Sequence, residues 1–185
     1  MKVGVLALQG DFEKHGLILE KLGITPVRIR YPQELDQVEG LVFPGGESTT
    51  LMHLIERNAF RDPLVAFAAS HPVLGTCAGL ILMAGAVDDP RIEPLKLLDI
   101  DVRRNAYGRQ VFSFTGRILL NNAPERTLTA TFIRAPKISR IGAGVNIMAT
   151  YGDEPVAVSR GKLAALSFHP ELDGYTNFHE HLFLA

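Results

Sequence analysis

The stretch that decides the fold is Gly75-Thr76-Cys77-Ala78-Gly79, which follows the apolar residues Pro72–Leu74 and precedes the apolar residues Leu80–Met83. This order predicts a strand, a tight turn and a helix, with a thiol at the turn. Small neighbours allow a sharp turn that exposes a nucleophile, and the positive end of a helix dipole favours a thiolate. Taken alone, the stretch is equally compatible with a buried, unreactive cysteine, because free cysteines are often buried.

Upstream of this turn, short apolar runs alternate with stretches of helical periodicity. The predicted strands are Val3–Leu8, Thr25–Arg30 and Gly40–Phe43. The predicted helices cover residues 12–22, Ser48–Arg57 with Ser48 as the cap, and a stretch from Asp62-Pro63 to Ser70. Strands that alternate with helices in this way predict a parallel sheet covered by helices on both faces.

Downstream of the turn, short strands predominate. They are Leu98–Arg103, Val111–Thr115, Leu128–Ile133, Val145–Thr150, Pro155–Arg160 and Leu163–Phe168, with a hairpin at Arg160-Gly161-Lys162 and a final helix over Tyr175–Leu184. We therefore expect an α/β fold with a mixed, mostly parallel sheet, helices on both faces and antiparallel additions. Since no linker divides the chain, we expect one domain over residues 1–185.

Composition narrows the function classes. The chain has 185 residues, 46% of them hydrophobic, and its net charge of −1 gives no basic patch for nucleic acid and no sign of a membrane surface. The apolar run at Val3–Leu8 is too short to span a bilayer, and Asp11 and Glu13 follow it at once. A single cysteine rules out an internal disulfide. We expect a cytoplasmic protein.

Three turns follow predicted parallel strands, where ligands bind in open α/β sheets. They are Gln9-Gly10, the turn from Pro44 to Ser48, and the turn at Cys77. The backbone N–H groups of Gly45 and Gly46 are candidates for an anion or oxyanion pocket, although a plain connecting loop has the same composition. No Gly-Lys-Ser/Thr follows, so this is not a Walker loop.

A cysteine nucleophile needs a base, and His169 is the best candidate among six histidines. It follows a predicted strand and precedes Pro170, which favours an extended backbone. Side chains two apart in an extended segment point the same way, so we expect Glu171 beside the His169 ring, where a carboxylate fixes the tautomer. A turn with a solvated glutamate is the alternative.

The remaining histidines receive simpler interpretations. His15 and His53 lie in predicted helices, where each is structural or exposed. His179 and His181 flank Glu180, but residues two apart on a helix do not face each other, so we expect no metal site there.

Cys77 in its Gly-Thr-Cys-Ala-Gly setting, together with His169-Pro170-Glu171, resembles the class I glutamine amidotransferases. Further segments resemble the glutaminase subunits of pyridoxal 5′-phosphate synthases. In the order of that family, and over nearly the whole chain, these segments are Gly4–Gly10, Pro44–Thr50, Arg104–Gln110, Phe132–Pro136 and Phe168–Leu172.

The resemblance implies a three-layer class I glutamine amidotransferase-like fold and the hydrolysis of L-glutamine to glutamate and ammonia. Cys77 would attack the side-chain amide, His169 would move the proton, and Glu171 would orient His169. The backbone N–H of Ala78 and one from the Gly45-Gly46 turn would hold the oxyanion. The implied glutamine contacts are Gly46, Glu47, Ser48, Arg104, Ile133 and Arg134.

The resemblance also implies a partner. Ammonia would pass to a separate pyridoxal 5′-phosphate synthase subunit, and the glutaminase would need neither a metal nor a bound cofactor. We expect Gln9 and Gly10 near both that partner interface and the oxyanion pocket. One position and one segment depart from the family: Leu74 replaces a common aromatic residue, and Asp173–Asn177 replaces a threonine and a charged run.

Three other interpretations stay open at this point. The chain is a glutaminase for another amidotransferase, such as imidazole glycerol phosphate synthase, or a catalytically silent scaffold subunit, or a stand-alone cysteine hydrolase acting on peptides or esters. The segments Arg104–Gln110 and Phe132–Pro136 argue against the first, and an intact Cys77, His169 and Glu171 argue against the second.

Overall fold

The computed structural model describes residues 1–104 and 113–184. The Asn105–Gln110 part of one family segment and the first two residues of the strand predicted at Val111–Thr115 lie outside the described residues. The strands are β1 (Lys2–Leu6), β2 (Thr25–Ile29), β3 (Gly40–Phe43), β4 (Val73–Thr76), β5 (Ala86–Val87), β6 (Ile100–Arg103), β7 (Ser113–Leu120), β8 (Ala123–Ile133), β9 (Lys137–Ile141), β10 (Asn146–Tyr151), β11 (Glu154–Arg160) and β12 (Leu163–Leu166). The helices are α1 (Phe12–Lys21), α2 (Ser48–Arg57), α3 (Arg61–Ala68), α4 (Ala78–Met83), α5 (Pro170–Asp173) and α6 (Asn177–Phe183), with a 3₁₀ helix at Pro32–Gln37.

The main sheet has the strand order β2-β1-β3-β4-β12-β11-β10-β7-β8. Pairings from β2 to β12 are parallel, and those from β12 to β8 are antiparallel. The α/β fold is therefore confirmed, but the antiparallel part is as extensive as the parallel part, more than a mostly parallel sheet implies. A second sheet pairs β5, β6 and β9.

Hydrophobic residues pack on both faces of the main sheet, because neighbouring side chains of a strand point to opposite sides. Leu41 packs with α2 and α4 on one face, and the adjacent Val42 packs with α1 and α6 on the other. This gives the expected three layers. Within the described residues, no helix is long and apolar enough to cross a membrane.

Two helix starts differ from the sequence prediction. Glu47, not Ser48, caps α2, since its carboxylate accepts hydrogen bonds from the backbone N–H groups of Thr49 and Thr50. Helix α3 begins before Asp62-Pro63, because the Leu64 N–H donates to the Phe60 carbonyl and closes the first turn there. Asp62 lies in that first turn, where a negative charge suits the helix dipole.

The segment that departs from the family is fastened to β8 through Thr131. The Thr131 N–H donates to Asp173 Oδ2 at 2.8 Å, and its hydroxyl donates to Asp173 Oδ1 at 2.6 Å. The Thr131 carbonyl in turn accepts the His169 N–H at 2.9 Å. Asp173 therefore ties α5, which carries Glu171, to the strand that leads to Ile133.

We expect Asp173→Ala to lower the free energy of unfolding by about 1–3 kcal/mol, because two partly buried donors of Thr131 lose their acceptor. Urea denaturation measures this. The exposed Asp36 serves as the control, and Asp36→Ala should change stability by no more than about 0.5 kcal/mol. Equal losses in the two variants would contradict the fastening role.

Candidate active site

A pocket of about 320 Å³ lies where β1, β3, β4 and β12 end. Because these strands are parallel, the loops that follow them meet at one edge of the sheet. The loops after β1 and β3 contribute Gln9, Gly45, Gly46 and Glu47, and the first residue of α2 contributes Ser48. The rest of the lining includes Cys77, Arg104, Ile133, Arg134 and His169. The structure thus brings together ten of the residues selected from the sequence.

Three selected residues lie just behind the pocket wall. Gly10 has a φ of 97°, and a Cβ there would stand 1.8 Å from the Gly45 carbonyl oxygen, so only glycine fits. Ala78 is fully buried at the start of α4. Glu171 is 5% exposed beneath His169.

The strand–turn–helix prediction around Cys77 is confirmed. The residue sits between β4 and α4 with φ 50° and ψ −101°, a conformation that costs a side-chain-bearing residue about 1–3 kcal/mol. A Cβ on Gly79 would stand 2.2 Å from the Phe43 carbonyl oxygen, which explains the small neighbour. The Cys77 thiol donates to the Ile133 carbonyl, with 3.7 Å between sulfur and oxygen. The thiol therefore sits on a strained, close-packed turn at the pocket.

His169 and Glu171 are in direct hydrogen-bond contact, with 2.6 Å between Nδ1 and Oε1. Burial lowers the pKa of His169, but Cys77 and Glu171 outweigh burial and raise it to about 10. Burial raises the pKa of the Glu171 carboxyl, but His15 and His169 bring it below its usual value. The pair therefore favours an imidazolium beside a carboxylate.

The extended geometry predicted for Glu171 is wrong. His169 is extended, with φ −114°, and caps α5, whereas Glu171 lies inside that one-turn helix. Pro170 has no N–H and a fixed φ, so it begins the helix directly after His169. The helical turn carries the carboxylate back to Nδ1, and it leaves Nε2 of His169 without a hydrogen bond among the described residues. That nitrogen remains for proton exchange.

The glycine turn after β3 is held by the loop after β1. The Asp11 N–H donates to the Gly45 carbonyl at 3.3 Å, and the Glu47 N–H donates to Gln9 Oε1 at 3.0 Å. A Cβ on Gly46 would stand 2.4 Å from the same Gln9 oxygen. Gln9 therefore accepts the hydrogen bond of the Glu47 N–H and also lies against Gly46.

A charged cluster begins at Glu47 and Arg104, which line the pocket, and continues to Asp89 and Arg91. Arg104 lies 3.1 Å from Glu47 Oε1 and also pairs with Asp89, which binds Arg91 at 2.6 Å. Burial raises the pKa of Glu47, but hydrogen bonds from Thr49 and Thr50 outweigh it and lower the pKa to about 2. Glu47 is thus an anion at neutral pH. Sequence reasoning did not find Asp89.

Arg134 stands apart from this cluster. It is exposed at the pocket, has a φ of 42°, and makes no ion pair with the described residues. A side chain at positive φ is uncommon and tends to occur at functional sites. Its guanidinium is therefore the cation most open to a ligand in this pocket.

The sequence did not predict where the side chains of His15 and His179 lie. Both are fully buried, and His15 lies 3.5 Å from the second carboxylate oxygen of Glu171. A usable signal existed, because His15 shares a helix face with the buried Ile18 and Leu19. A histidine on an apolar face needs polar partners inside the protein.

Comparisons with known proteins agree with this geometry. Residues 5–184 match the SNO glutamine amidotransferase family. The pyridoxal 5′-phosphate synthase subunit PdxT of Solibacter usitatus is 46% identical over all of this chain and 98% of its own. The same subunit of Thermosipho africanus is 45% identical over 98% of this chain and 96% of its own.

Solved structures give the same result. The crystal structure of a glutamine amidotransferase superposes with a TM-score of 0.92 at 39% identity, over 98% of this chain and 97% of that one. The structure of PurLQS from Thermotoga maritima shares only the fold, with a TM-score of 0.69 at 16% identity, over 92% of this chain and 87% of that one. The match over nearly the whole length shows that this chain belongs to the SNO glutamine amidotransferase family.

Proposed function

We propose that this chain is the glutaminase subunit of a pyridoxal 5′-phosphate synthase, a single glutaminase domain that hydrolyses L-glutamine and supplies ammonia to a synthase subunit. The observation that carries the proposal is the charged His169–Glu171 pair beside Cys77 in a chain nearly half identical to PdxT subunits. The lone cysteine fits a reducing compartment, so we also propose the cytoplasm as its location.

The first half of the reaction uses Cys77 and His169. The Cys77 thiol passes its proton to Nε2 of His169, which forms the imidazolium that the raised pKa of His169 favours, and the resulting thiolate attacks the side-chain amide carbon of glutamine. The carbonyl oxygen becomes an oxyanion, which the N–H of Ala78 and one from the Gly45-Gly46 turn would stabilise. Collapse breaks the carbon–nitrogen bond. His169 protonates the leaving nitrogen, so ammonia departs and a Cys77 thioester remains.

The second half regenerates the thiol. His169 takes a proton from water, whose oxygen attacks the thioester carbon. The carbon–sulfur bond breaks, glutamate leaves, and the proton returns to the sulfur. Nδ1 of His169 stays protonated in both halves of the reaction, because the Glu171 carboxylate accepts its hydrogen bond at 2.6 Å. Proton exchange therefore takes place at Nε2.

Charge complementarity orients the substrate. Glutamine carries an α-ammonium and an α-carboxylate, and the pocket presents the anionic Glu47 and the exposed Arg134. Glu47 suits the ammonium, Arg134 suits the carboxylate, and Ser48, Gly46 and Ile133 line the space between. We propose that Arg104, already paired with Glu47 and Asp89, holds Glu47 in place.

We expect Arg134→Met to raise the KM for glutamine about 10- to 100-fold with a much smaller change in kcat, because a charge-assisted hydrogen bond contributes ~1.5–3 kcal/mol. Steady-state ammonia release measures both constants. The exposed Arg117 on β7 is the matched control, and Arg117→Met should leave both unchanged. An unaltered KM in Arg134→Met would remove Arg134 from substrate binding.

The decisive experiment measures ammonia release from glutamine with and without a pyridoxal 5′-phosphate synthase subunit. Strong activation by that subunit is the expected result. Activation only by a different synthase would favour another amidotransferase. Partner-independent cleavage of peptides or esters would favour a stand-alone hydrolase, and no hydrolysis under any condition would favour a silent scaffold.

We propose that Gln9 links binding of the partner to the oxyanion pocket. The hydrogen bond from the Glu47 N–H to Gln9 and the contact of Gln9 with Gly46 support this proposal. We expect Gln9→Ala to change partner-stimulated hydrolysis by about 10-fold, because one hydrogen bond contributes ~0.5–1.5 kcal/mol and ~1.4 kcal/mol is a tenfold change in rate. Titration with the synthase subunit gives affinity and maximal rate. The exposed Gln33 is the control, and a Gln9→Ala protein matching Gln33→Ala in both quantities would exclude the link.

A further inference from the structure

Behind the proposed triad lies a chain of buried polar groups with no assigned role. His15 Nε2 lies 3.5 Å from Glu171 Oε2 and 3.1 Å from the Thr76 hydroxyl. On its other side, His15 Nδ1 lies 3.0 Å from His179 Nε2. Both histidines have no solvent exposure. They come from α1 and α6. His15 faces Oε2 of Glu171, the oxygen that His169 does not bind, and His179 contacts His15.

The contact between His15 and Glu171 matters because the two carboxylate oxygens of Glu171 differ in their hydrogen bonding. Oε1 of Glu171 is taken by His169, whereas Oε2 is buried and has no hydrogen bond of good geometry among the described residues. A buried carboxylate oxygen without a donor is costly. His15 Nε2 is the polar group placed to serve it, at a distance that a small ring movement shortens into a hydrogen bond.

One arrangement of protons satisfies these contacts. If His15 carries its proton on Nε2, it donates toward Thr76 and Glu171, and its Nδ1 accepts from His179 Nε2. The opposite arrangement would aim a lone pair of His15 at the carboxylate. Desolvation lowers the pKa of both His15 and His179 and so favours the neutral form of each ring, in which the tautomer decides where His15 donates.

We propose that His15, held in one tautomer by His179, is a positioning residue that fixes the second carboxylate oxygen of Glu171, so that the proposed triad continues as Cys77–His169–Glu171–His15–His179. This inference rests on the proposed glutaminase chemistry. With both oxygens held, the carboxylate cannot rotate away from Nδ1 of His169. The ring then keeps Nε2 aimed at the thiol, and the imidazolium keeps its counter-charge.

The competing explanation is that the two histidines merely fill space between α1, α6 and the sheet. The titratable groups that face His15 are Glu171, His169, His179 and Asp11. A space-filling role predicts that substitutions change stability only. A positioning role predicts that substitutions of His15 change the reactivity of Cys77, although His169 and Glu171 separate the two residues. The size of the change should depend on where the replacement side chain places its hydrogen-bond donor.

His15→Gln and His15→Asn separate the two explanations. The glutamine amide nitrogen reaches about as far as Nε2 and can still donate to Glu171, whereas the asparagine nitrogen stops near the position of Nδ1. Both residues are polar, but asparagine has the lower helix propensity, so urea denaturation of both variants is needed to separate a loss of stability from a loss of reactivity. Two readouts are measured on the full chain: kcat and KM for hydrolysis with the synthase subunit, and the pH dependence of Cys77 alkylation by iodoacetamide.

We expect His15→Asn to lower kcat about 10- to 100-fold, since small misplacement of catalytic groups costs factors of this size, with KM changed less than about 3-fold. The pH midpoint of alkylation should move upward, because a weaker imidazolium stabilises the thiolate less. His15→Gln should recover most of both properties. The exposed His53 is the control, and His53→Asn should leave both readouts unchanged.

Equal losses in His15→Asn and His15→Gln, or a fall in kcat without a shift in alkylation, would overturn the inference in favour of space filling. The same comparison can be made at His179, the next residue in the proposed chain, where His179→Gln keeps a donor for His15 and His179→Leu removes it. This second pair of variants distinguishes positioning from space filling if His15→Asn does not fold. A wild-type chain that alkylates normally but never hydrolyses glutamine would refute the proposed function instead, since the alkylation contrast stands without it.

Discussion

Cys77→Ala should abolish glutamine hydrolysis, with a fall in kcat on the order of 10⁶-fold, the loss seen when a nucleophile that acts as a unit with its base is removed. The remaining groups can bind glutamine but cannot form the thioester. Binding to the synthase subunit should persist, because Cys77 is only 7% exposed at the pocket floor. Ammonia release and partner titration measure the two properties separately.

The same residue offers an unusually clean labelling test, since the sequence contains one cysteine. An electrophilic glutamine analogue should add one equivalent to the chain, and the Cys77→Ala variant should take up none. Free glutamine should slow the labelling, because both compete for the same pocket. Normal turnover in Cys77→Ala, or labelling at another residue, would remove Cys77 from the mechanism.

Glu171→Gln should lower kcat about 10²- to 10⁴-fold, the range associated with a lost orienting carboxylate or lost acid–base assistance. The amide has nearly the same shape but no charge. Glu171 contributes to holding the pKa of His169 at about 10, so that pKa should fall toward its ordinary value when the charge is removed. NMR titration of the His169 ring measures the shift directly.

The matched control is Glu180, which is exposed on α6 and lies near the same region of the chain. Glu180→Gln should alter neither kcat nor the titration of His169. If Glu171→Gln left the pKa of His169 where it is in the native chain, the carboxylate would have no electrostatic role. A retained kcat would likewise exclude Glu171 from the proposed triad.

Local chemistry allowed much of the fold to be predicted. The strand, turn and helix around Cys77 follow from two apolar runs and four small residues, and the loops after β1 and β3 follow from glycine and proline positions. Element starts were less predictable. Glu47 displaced Ser48 as a cap because its longer side chain reaches two backbone N–H groups at once.

Contacts between distant parts of the chain were the main omission. His15 and His179 are 164 positions apart, and nothing in either helix alone indicates that they meet. The pairing of β6 with β9 is similarly non-local, and β9 contains Lys137, Ser139 and Arg140, which weaken its strand pattern. Glu171 was paired with the right partner through the wrong backbone geometry, because a one-turn helix leaves little periodicity to read.

The strained backbone at Cys77 lowers the stability of the fold at the residue proposed to carry out the reaction. At φ 50° and ψ −101°, glycine would be the least costly residue, and any residue with a side chain gives up about 1–3 kcal/mol there. A laboratory screen that rewards heat resistance alone would therefore tend to enrich Cys77→Gly and discard the proposed nucleophile. Retention of cysteine at this turn requires selection for turnover, because folding by itself disfavours it.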